Sequence, residues 1–166
     1  MVSGEGALVT TVLIALAAFL LMEPVTALTH RKVMHGFGMA WHRSHHDPPR
    51  GRVEANDLFP VVFAAATIVL LSVGVFVGGG RVLVPLGIGI TAYGASYLLV
   101  HDVVVHRCVP WLPLPGRFLD WHRGAHNVHH LYGRAPFGFL APVVPAELRQ
   151  RARDAGVDRT ERAARR

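Results

Sequence analysis

The chain has 166 residues, of which 51% are hydrophobic and 17% charged, with a net charge of +6. This length predicts one domain. The single cysteine, Cys108, excludes a disulfide within the chain and an iron–sulfur cluster held by its cysteines alone. The apolar residues are concentrated in long runs, which leaves no soluble basic domain to bind nucleic acid. The positive charge instead indicates the orientation of the chain in a membrane.

Three apolar runs predict three transmembrane helices. Residues 7–22, 58–77 and 82–100 carry no charge, and about 20 such residues cross the hydrocarbon core of a bilayer. We expect membrane segments at 6–28, 58–78 and 82–104, with residues 134–146 as a possible fourth or re-entrant segment. A cleaved signal peptide is the alternative for the first run, but residues 1–6 lack the basic start that such a peptide needs.

The basic residues predict the orientation of these helices. Five Lys or Arg lie between positions 31 and 52 and eleven follow Val105, whereas Arg81 alone lies between the second and third segments. Because cytoplasmic loops collect Lys and Arg, we expect the N-terminus outside and the C-terminus inside. Glu23, near the end of the first segment, either marks the rim of the bilayer or is paired.

Ten of the eleven histidines repeat two spacings in the same order. The spacing H-x4-H is followed by H-x2-H-H in each half of the chain. The first histidine set is His30, His35, His42, His45 and His46, and the second histidine set is His101, His106, His126, His129 and His130. Members of each H-x2-H-H group share one helix face. Members of each H-x4-H pair are about 140° apart in a regular α-helix, unless a π-helical segment brings them together.

These ten imidazoles predict a two-metal site at the cytoplasmic edge of the membrane. Imidazole suits iron, copper, zinc and nickel, so the spacing leaves the metal open. Such a site beside lipid can activate dioxygen to attack a C–H bond of a lipid. A zinc hydrolase would need only three or four ligands, and a metal transporter or sensor would place its ligands nearer the bilayer midplane.

Other residues are candidates for supporting roles. Asp102 and Asp47 each follow a histidine and can orient its imidazole through the second ring nitrogen, although surface charge explains Asp47 equally well. His122 and Tyr97 are further candidates for contacts with the ligands. The candidates for a substrate path, each of which core packing also explains, are Phe37, Met39, Tyr93, Phe137 and Phe139. Prolines predict a rigid connector over residues 108–116, and a helix is expected over residues 120–132, ended by Gly133.

The motifs around the histidines narrow the class of protein. They are residues 29–36 (THRKVMHG), 41–46 (WHRSHH), 56–59 (NDLF), 93–94 (YG) with Tyr97, 100–102 (VHD), 105–107 (VHR), 125–130 (AHNVHH) and 136–140 (PFGFL). From about Glu23 to Leu148 the chain resembles the bacterial-type β-carotene hydroxylases of the fatty acid hydroxylase superfamily. His122 and the proline-rich stretch 110–115 depart from the pattern of that family.

The resemblance implies an all-α integral membrane protein of the bacterial inner membrane, with a hydroxylase domain at 1–148 and a charged cytoplasmic tail at 149–166. It implies a non-haem di-iron mono-oxygenase, in which the ten histidines of the two sets bind two iron ions and dioxygen is the co-substrate. Zinc can replace iron during purification. The implied reaction hydroxylates carbon 3 of the β-ionone rings of β-carotene, giving β-cryptoxanthin and zeaxanthin.

The implied partners are membrane lipids, the carotenoid, and a separate reduced ferredoxin with its reductase. The chain itself has no dinucleotide fingerprint, haem motif or cysteine cluster to carry electrons. A carotenoid ketolase and a fatty-acyl hydroxylase or desaturase are alternatives with the same metal chemistry, and a non-enzymatic membrane metal-binding protein is the alternative outside it. The sequence predicts no oligomeric state.

Overall fold

A computed structural model describes residues 4–47, 53–106, 109 and 116–156, and all regular structure in these ranges is helical. The helices are α1 (Gly4–Thr29), α2 (Met39–His46), α3 (Leu58–Ser72), α4 (Gly80–Leu98), α5 (Arg117–Tyr132) and α6 (Ala146–Asp154). π-Helical segments follow α1, α3 and α4 at His30–Phe37, Val73–Val77 and Leu99–Val105, and a 3-10 turn at Ala55–Asp57 precedes α3. This confirms the predicted all-α class. Most of the predicted connector at 108–116 lies outside the described residues.

Three helices are long and apolar enough to cross a membrane, as predicted. They are Gly4–Phe37, Ala55–Val77 and Gly80–Val105. The first extends nine residues past the expected end at position 28, because helical backbone continues α1 through a polar, histidine-bearing stretch that kinks at Gly36. Residues 134–145 are non-helical, so the possible fourth segment is not a transmembrane helix.

The chain divides between Leu98 and Leu99 into two compact units. In the first unit, α1 and α3 both pack against α4. Small residues allow the close approach: a Cβ added at Gly89 would meet the carbonyl oxygen of Ala15 and, at 2.7 Å, Cβ of Ala18. Membrane helices commonly pack through such small residues, because lipid offers no hydrophobic force to drive the helices together.

Polar groups within the apolar helices have partners. Thr67 and Thr91 donate hydrogen bonds to the carbonyl oxygens four residues earlier, at 2.8 Å each. The Tyr93 hydroxyl of α4 donates to Oε2 of Glu23 in α1 at 2.7 Å. Glu23 is therefore paired, which offsets the cost of a carboxylate within an apolar span.

The second unit contains the Leu99–Val105 segment, α5 and α6. The apolar core between α5, α6 and the segment that joins them is formed by Ala125, Val128, Val144, Leu148 and Ala152, with Tyr132 packed against it. Gly133 ends α5 in the left-handed conformation (φ 59°), as its position in the sequence predicted. The division into a domain at 1–148 and a tail at 149–166 stays a prediction, and α6 extends across that boundary.

Candidate metal centre

His30 and His35 lie together because the backbone that carries them is π-helical. The segment His30–Phe37 is π-helical with a kink at Gly36 (φ −106°, ψ −122°), and across that kink the Gly38 amide donates to the Val33 carbonyl, five residues back, at 2.8 Å. The imidazole centroids of His30 and His35 are 5.1 Å apart, although a regular α-helix would turn the two side chains away from each other. The sequence left open whether the two imidazoles of an H-x4-H pair are separated or adjacent. In the first set they are adjacent, because the segment is π-helical.

His42 of α2 is the centre of the first histidine set. Its Nε2 atom lies 3.2 Å from Nε2 of His30, 3.2 Å from Nε2 of His35 and 3.1 Å from Nε2 of His46. The residue is only 1% exposed. On the other side of the ring, Nδ1 donates to Oδ1 of Asn56 at 2.8 Å. Four imidazoles therefore converge through one nitrogen each.

This arrangement fits a metal ion better than it fits hydrogen bonding alone. A neutral imidazole carries one N–H, and Asn56 accepts the one on His42, so Nε2 of His42 offers a lone pair. Three other imidazole nitrogens converge on that lone pair. Nitrogen ligands about 2.1 Å from one metal are separated from each other by roughly 3.0–3.4 Å, and the observed separations of 3.1 and 3.2 Å fall in that range. His30, His35 and His42 each offer a nitrogen within 4.8 Å of the others.

His45 lies on the same face of α2, as its spacing predicted. Its ring centroid is 5.6 Å from that of His42 and 6.0 Å from that of His46. Its Nδ1 atom is 3.9 Å from Oε2 of Glu54.

In the second histidine set, a π-helical segment again brings the two histidines of an H-x4-H pair together. The segment Leu99–Val105 is π-helical, and the His106 amide donates to the His101 carbonyl at 2.9 Å, five residues back. The two rings approach to 4.5 Å between centroids. From α5, His126 places Nε2 at 3.0 Å from Nε2 of His106, and the His130 ring lies 4.4 Å from that of His126. His106, His126 and His130 each offer a nitrogen within 4.8 Å of the others.

Two rings of the second set are held through Nδ1. Nδ1 of His101 donates to Oδ1 of Asp102 at 2.7 Å, and Nδ1 of His129 donates to the carbonyl oxygen of Arg134 at 2.6 Å. Each bond fixes the ring orientation and leaves an unprotonated Nε2, the form in which imidazole binds a metal.

The electrostatics of His106 favour the same neutral form. Its pKa is lowered to about 4, chiefly because the ring is withdrawn from water and also because His101 would repel a second positive charge; Asp102 acts in the opposite direction. Part of the residue surface is nevertheless exposed. At neutral pH this imidazole is uncharged and competent to bind a metal.

The other predicted site residues fall in different surroundings. Phe139 and Phe137 meet ligand rings edge-on, at 5.3 Å from His101 and 5.6 Å from His129. Of the other candidates, Tyr93 is buried against Glu23, Tyr97 and Met39 are half-buried, Phe37 is 87% exposed, and Asp47 is exposed at the end of α2. Within the described part of the chain, the Asp47 carboxylate makes no hydrogen bond to an imidazole.

His122 does not face the ligands with a free nitrogen. The residue is 2% exposed. Its Nδ1 atom lies 2.9 Å from the carbonyl oxygen of Phe118, and its Nε2 atom lies 3.2 Å from the carbonyl oxygen of Leu140. Both nitrogens are thus directed at backbone acceptors.

Asn56 and Glu54 support the first set and were missed by the sequence reasoning. They precede α3 in a turn where Glu54 and Asp57 form a capping box. The available signal was a polar Asn two positions before a 20-residue apolar run, and in the structure this Asn is 4% exposed. That signal was read only as part of the NDLF motif, because its partner His42 lies fourteen positions earlier.

Comparison with known proteins identifies the family of the chain. The model of the fatty acid hydroxylase family matches residues 15–145. The chain is 42% identical to the "Beta-carotene hydroxylase" of Pseudescherichia vulneris, an alignment covering 91% of this chain and 93% of the relative. It is 43% identical to the protein of the same name from Pantoea ananas (78% of each chain), and 36% identical to that of Paracoccus sp. strain PC1 (92% and 96%). No solved structure matches the chain. The chain is therefore a hydroxylase of the oxidoreductase class and belongs to the fatty acid hydroxylase family.

Proposed function

We propose that this protein is a membrane mono-oxygenase that hydroxylates carbon 3 of the β-ionone rings of β-carotene, forming β-cryptoxanthin and then zeaxanthin. Each hydroxylation places one atom of dioxygen into a C–H bond. The other atom leaves as water after taking up two electrons and two protons. The relatives that are named β-carotene hydroxylases support the substrate class, and the two histidine sets support the oxygen chemistry.

The observation that carries the proposal is the convergence of three Nε2 atoms on Nε2 of His42, at 3.1 to 3.2 Å, which is the spacing of nitrogen ligands around one metal ion. We propose that the ligands of two non-haem iron ions are the ten members of the two sets: His30, His35, His42, His45, His46, His101, His106, His126, His129 and His130. Bound iron would supply the reduction and activation of dioxygen, chemistry that no side chain of this protein provides by itself.

The protein's part is to hold neutral imidazoles in fixed orientations. Asn56, Asp102 and the carbonyl of Arg134 each accept the Nδ1 proton of one ligand histidine. Each therefore fixes both the tautomer and the rotation of that ring. Rings that are ordered before the metal binds need little rearrangement, which favours binding and a defined geometry.

The apolar helices provide the route for the substrate. A carotenoid is comparable in length to the ~30 Å core of the bilayer, so one end ring reaches the interface where the histidine-bearing segments begin. We propose that Phe37, Met39, Tyr93, Phe137 and Phe139 line its path. Phe139 carries the most support, because it is buried directly against the ring of His101.

The electrons are proposed to come from a separate reduced ferredoxin and its reductase. The donor would approach from the cytoplasm, where we place both histidine sets and the C-terminus, with the N-terminus outside the inner membrane. A reporter protein fused after residue 156 tests this orientation. A reporter that works only in the cytoplasm should be active at that position. Activity of a reporter that works only in the periplasm would contradict the proposed orientation.

Expression in cells that make β-carotene tests the function. Pigments would be extracted and identified by chromatography and mass from cells carrying the wild type, His42→Ala or Glu147→Gln. Glu147 is exposed and, among the residues that the structure describes, pairs with exposed Arg151, so its variant is the matched control. Hydroxylated carotenoid is expected in the wild type and control and should be lost in His42→Ala.

Two results of that experiment would count against the proposal. A keto product would keep the oxygen chemistry but identify a ketolase. No conversion by a membrane-inserted wild type supplied with ferredoxin and reductase would exclude the carotenoid and redirect attention to fatty-acyl substrates.

A further inference from the structure

We propose that His122 is a positioning residue for the proposed hydroxylase, and that it fixes residues 134–140, here called the wall segment, against two ligand imidazoles. His122 is the one histidine outside both sets. Its ring lies in the second unit, nearly inaccessible to solvent, with a nitrogen 3.2 Å from the Leu140 carbonyl at the end of the wall segment.

The wall segment touches the ligands at three places. Its first residue, Arg134, accepts the Nδ1 proton of His129 at 2.6 Å. Phe137 then stands edge-on to the same ring, with 70° between the planes. Phe139 stands edge-on to His101, with 82° between the planes. Such edge-to-face contacts restrict ring rotation and exclude water from the imidazole faces.

The His122 contact joins the wall segment to α5 near the end of the segment. The segment is non-helical, so it makes no ladder of backbone hydrogen bonds with its neighbours. Arg134 holds its beginning through His129, and Val144, four residues past its end, is packed in the core of the unit. The contact of His122 with Leu140 falls between these two points, immediately after Phe139, so it fixes the backbone beside the ring that meets His101.

The two nitrogens of His122 have separable roles. The contact from Nδ1 to the Phe118 carbonyl is internal to α5, whereas the contact from Nε2 to Leu140 joins α5 to the wall segment. A neutral imidazole carries a single N–H. The proposal places that proton on Nε2, because only there can it donate to the Leu140 carbonyl; with the proton on Nδ1, the bond would stay within α5. A glutamine amide can place its N–H near Nε2, whereas an asparagine amide reaches only the position of Nδ1.

Hydrogen–deuterium exchange of the metal-free protein in detergent tests this assignment. We would compare the wild type with His122→Gln, His122→Asn and His122→Phe. A typical hydrogen bond changes a local opening equilibrium about tenfold, so exchange of residues 137–141 should accelerate by about that factor in the Asn and Phe variants. It should stay within about threefold of wild type in the Gln variant. Exchange in α5 itself should be unchanged.

Three outcomes would overturn the proposal. They are equal exchange in all four proteins, equal protection by Asn and Gln, and acceleration throughout α5 as well as in the wall segment. The last would mean that His122 only stabilises its own helix. If His122→Phe does not fold, the comparison of Gln with Asn still decides.

The functional consequence rests on the proposed hydroxylation and has its own readout. When the wall segment is released, dioxygen should be consumed with less product, because water reaches the ligand rings. Hydroxylated carotenoid formed per dioxygen consumed should therefore be several-fold higher for His122→Gln than for His122→Asn. A wild type that hydroxylates no carotenoid would refute the proposed function. The hydrogen–deuterium exchange comparison needs no activity, so it would still test whether His122 holds the wall segment.

Discussion

Asn56 provides the sharpest test of how the site is held. Its Oδ1 atom accepts the Nδ1 proton of His42, and both residues are buried. Replacement by leucine keeps the approximate volume but removes the acceptor. A buried N–H would then lack a partner, and the tautomer that presents the lone pair of His42 Nε2 would no longer be favoured.

The expected magnitude follows from the hydrogen bond. Leaving one buried polar group unsatisfied costs about 1–3 kcal/mol, and substitutions behind ligand histidines commonly weaken metal affinity by about 10- to 100-fold. Because Nε2 of His42 lies near three other nitrogens, we expect Asn56→Leu to fall within that range. Asn56→Asp keeps an oxygen acceptor and should lose less than about tenfold.

Anaerobic titration with ferrous iron against a competing chelator measures this effect. Thermal unfolding of the metal-free variants is the control for a general loss of stability. The backbone N–H of Asn56 donates to Oγ of Ser44 at 3.1 Å, and neither substitution removes that hydrogen bond. If Asn56→Leu bound iron within about threefold of wild type, the idea that this hydrogen bond selects the ligand form of His42 would be wrong.

Three further predictions concern packing and the second set. Tyr93→Phe should lower the free energy of unfolding in detergent by about 1–3 kcal/mol, because Glu23 loses its hydrogen-bond donor within an apolar span; an unchanged value would mean that water replaces the hydroxyl. Gly89→Ala should lower the free energy of unfolding by about 1–3 kcal/mol, because the added Cβ would overlap the α1 backbone. Gly94→Ala is the control, because a Cβ added there meets nothing within 4 Å. Equal melting temperatures of the two variants would contradict the packing of α1 on α4. Asp102→Leu should reduce hydroxylated carotenoid at least about tenfold, and Asp102→Asn less, because the amide can still accept the His101 proton; equal pigment yields from the two variants would argue against that role.

The sequence was most informative where a pattern is local. The three apolar runs predicted the three long helices, and Gly133 predicted the end of α5. The H-x2-H-H groups predicted imidazoles on one helix face, which the rings of His126 and His130, 4.4 Å apart, confirm. Each of these features depends on residues within a few turns of one another.

The features that the sequence did not predict depend on distant residues or on the backbone. The H-x4-H spacing allowed both separated and adjacent imidazoles, and only the π-helical backbone at His30–Phe37 decides between them. Asn56 reaches His42, and Tyr93 reaches Glu23 from 70 residues away. The periodicity of the sequence carries no information about such pairings. A polar residue beside an apolar run can therefore be noticed, but its partner cannot be predicted.

The most direct test of the central claim is the iron content and spectrum of the purified protein. The wild type, loaded anaerobically with 57Fe and freed of loose metal, would be examined by elemental analysis and Mössbauer spectroscopy. We predict about two irons per chain, with the iron content and its signal reduced in both His42→Ala and His126→Ala, one from each histidine set. One iron per chain, or two that survive either substitution, would contradict the binding of two irons by these histidines, and zinc alone after iron loading would contradict the proposed metal.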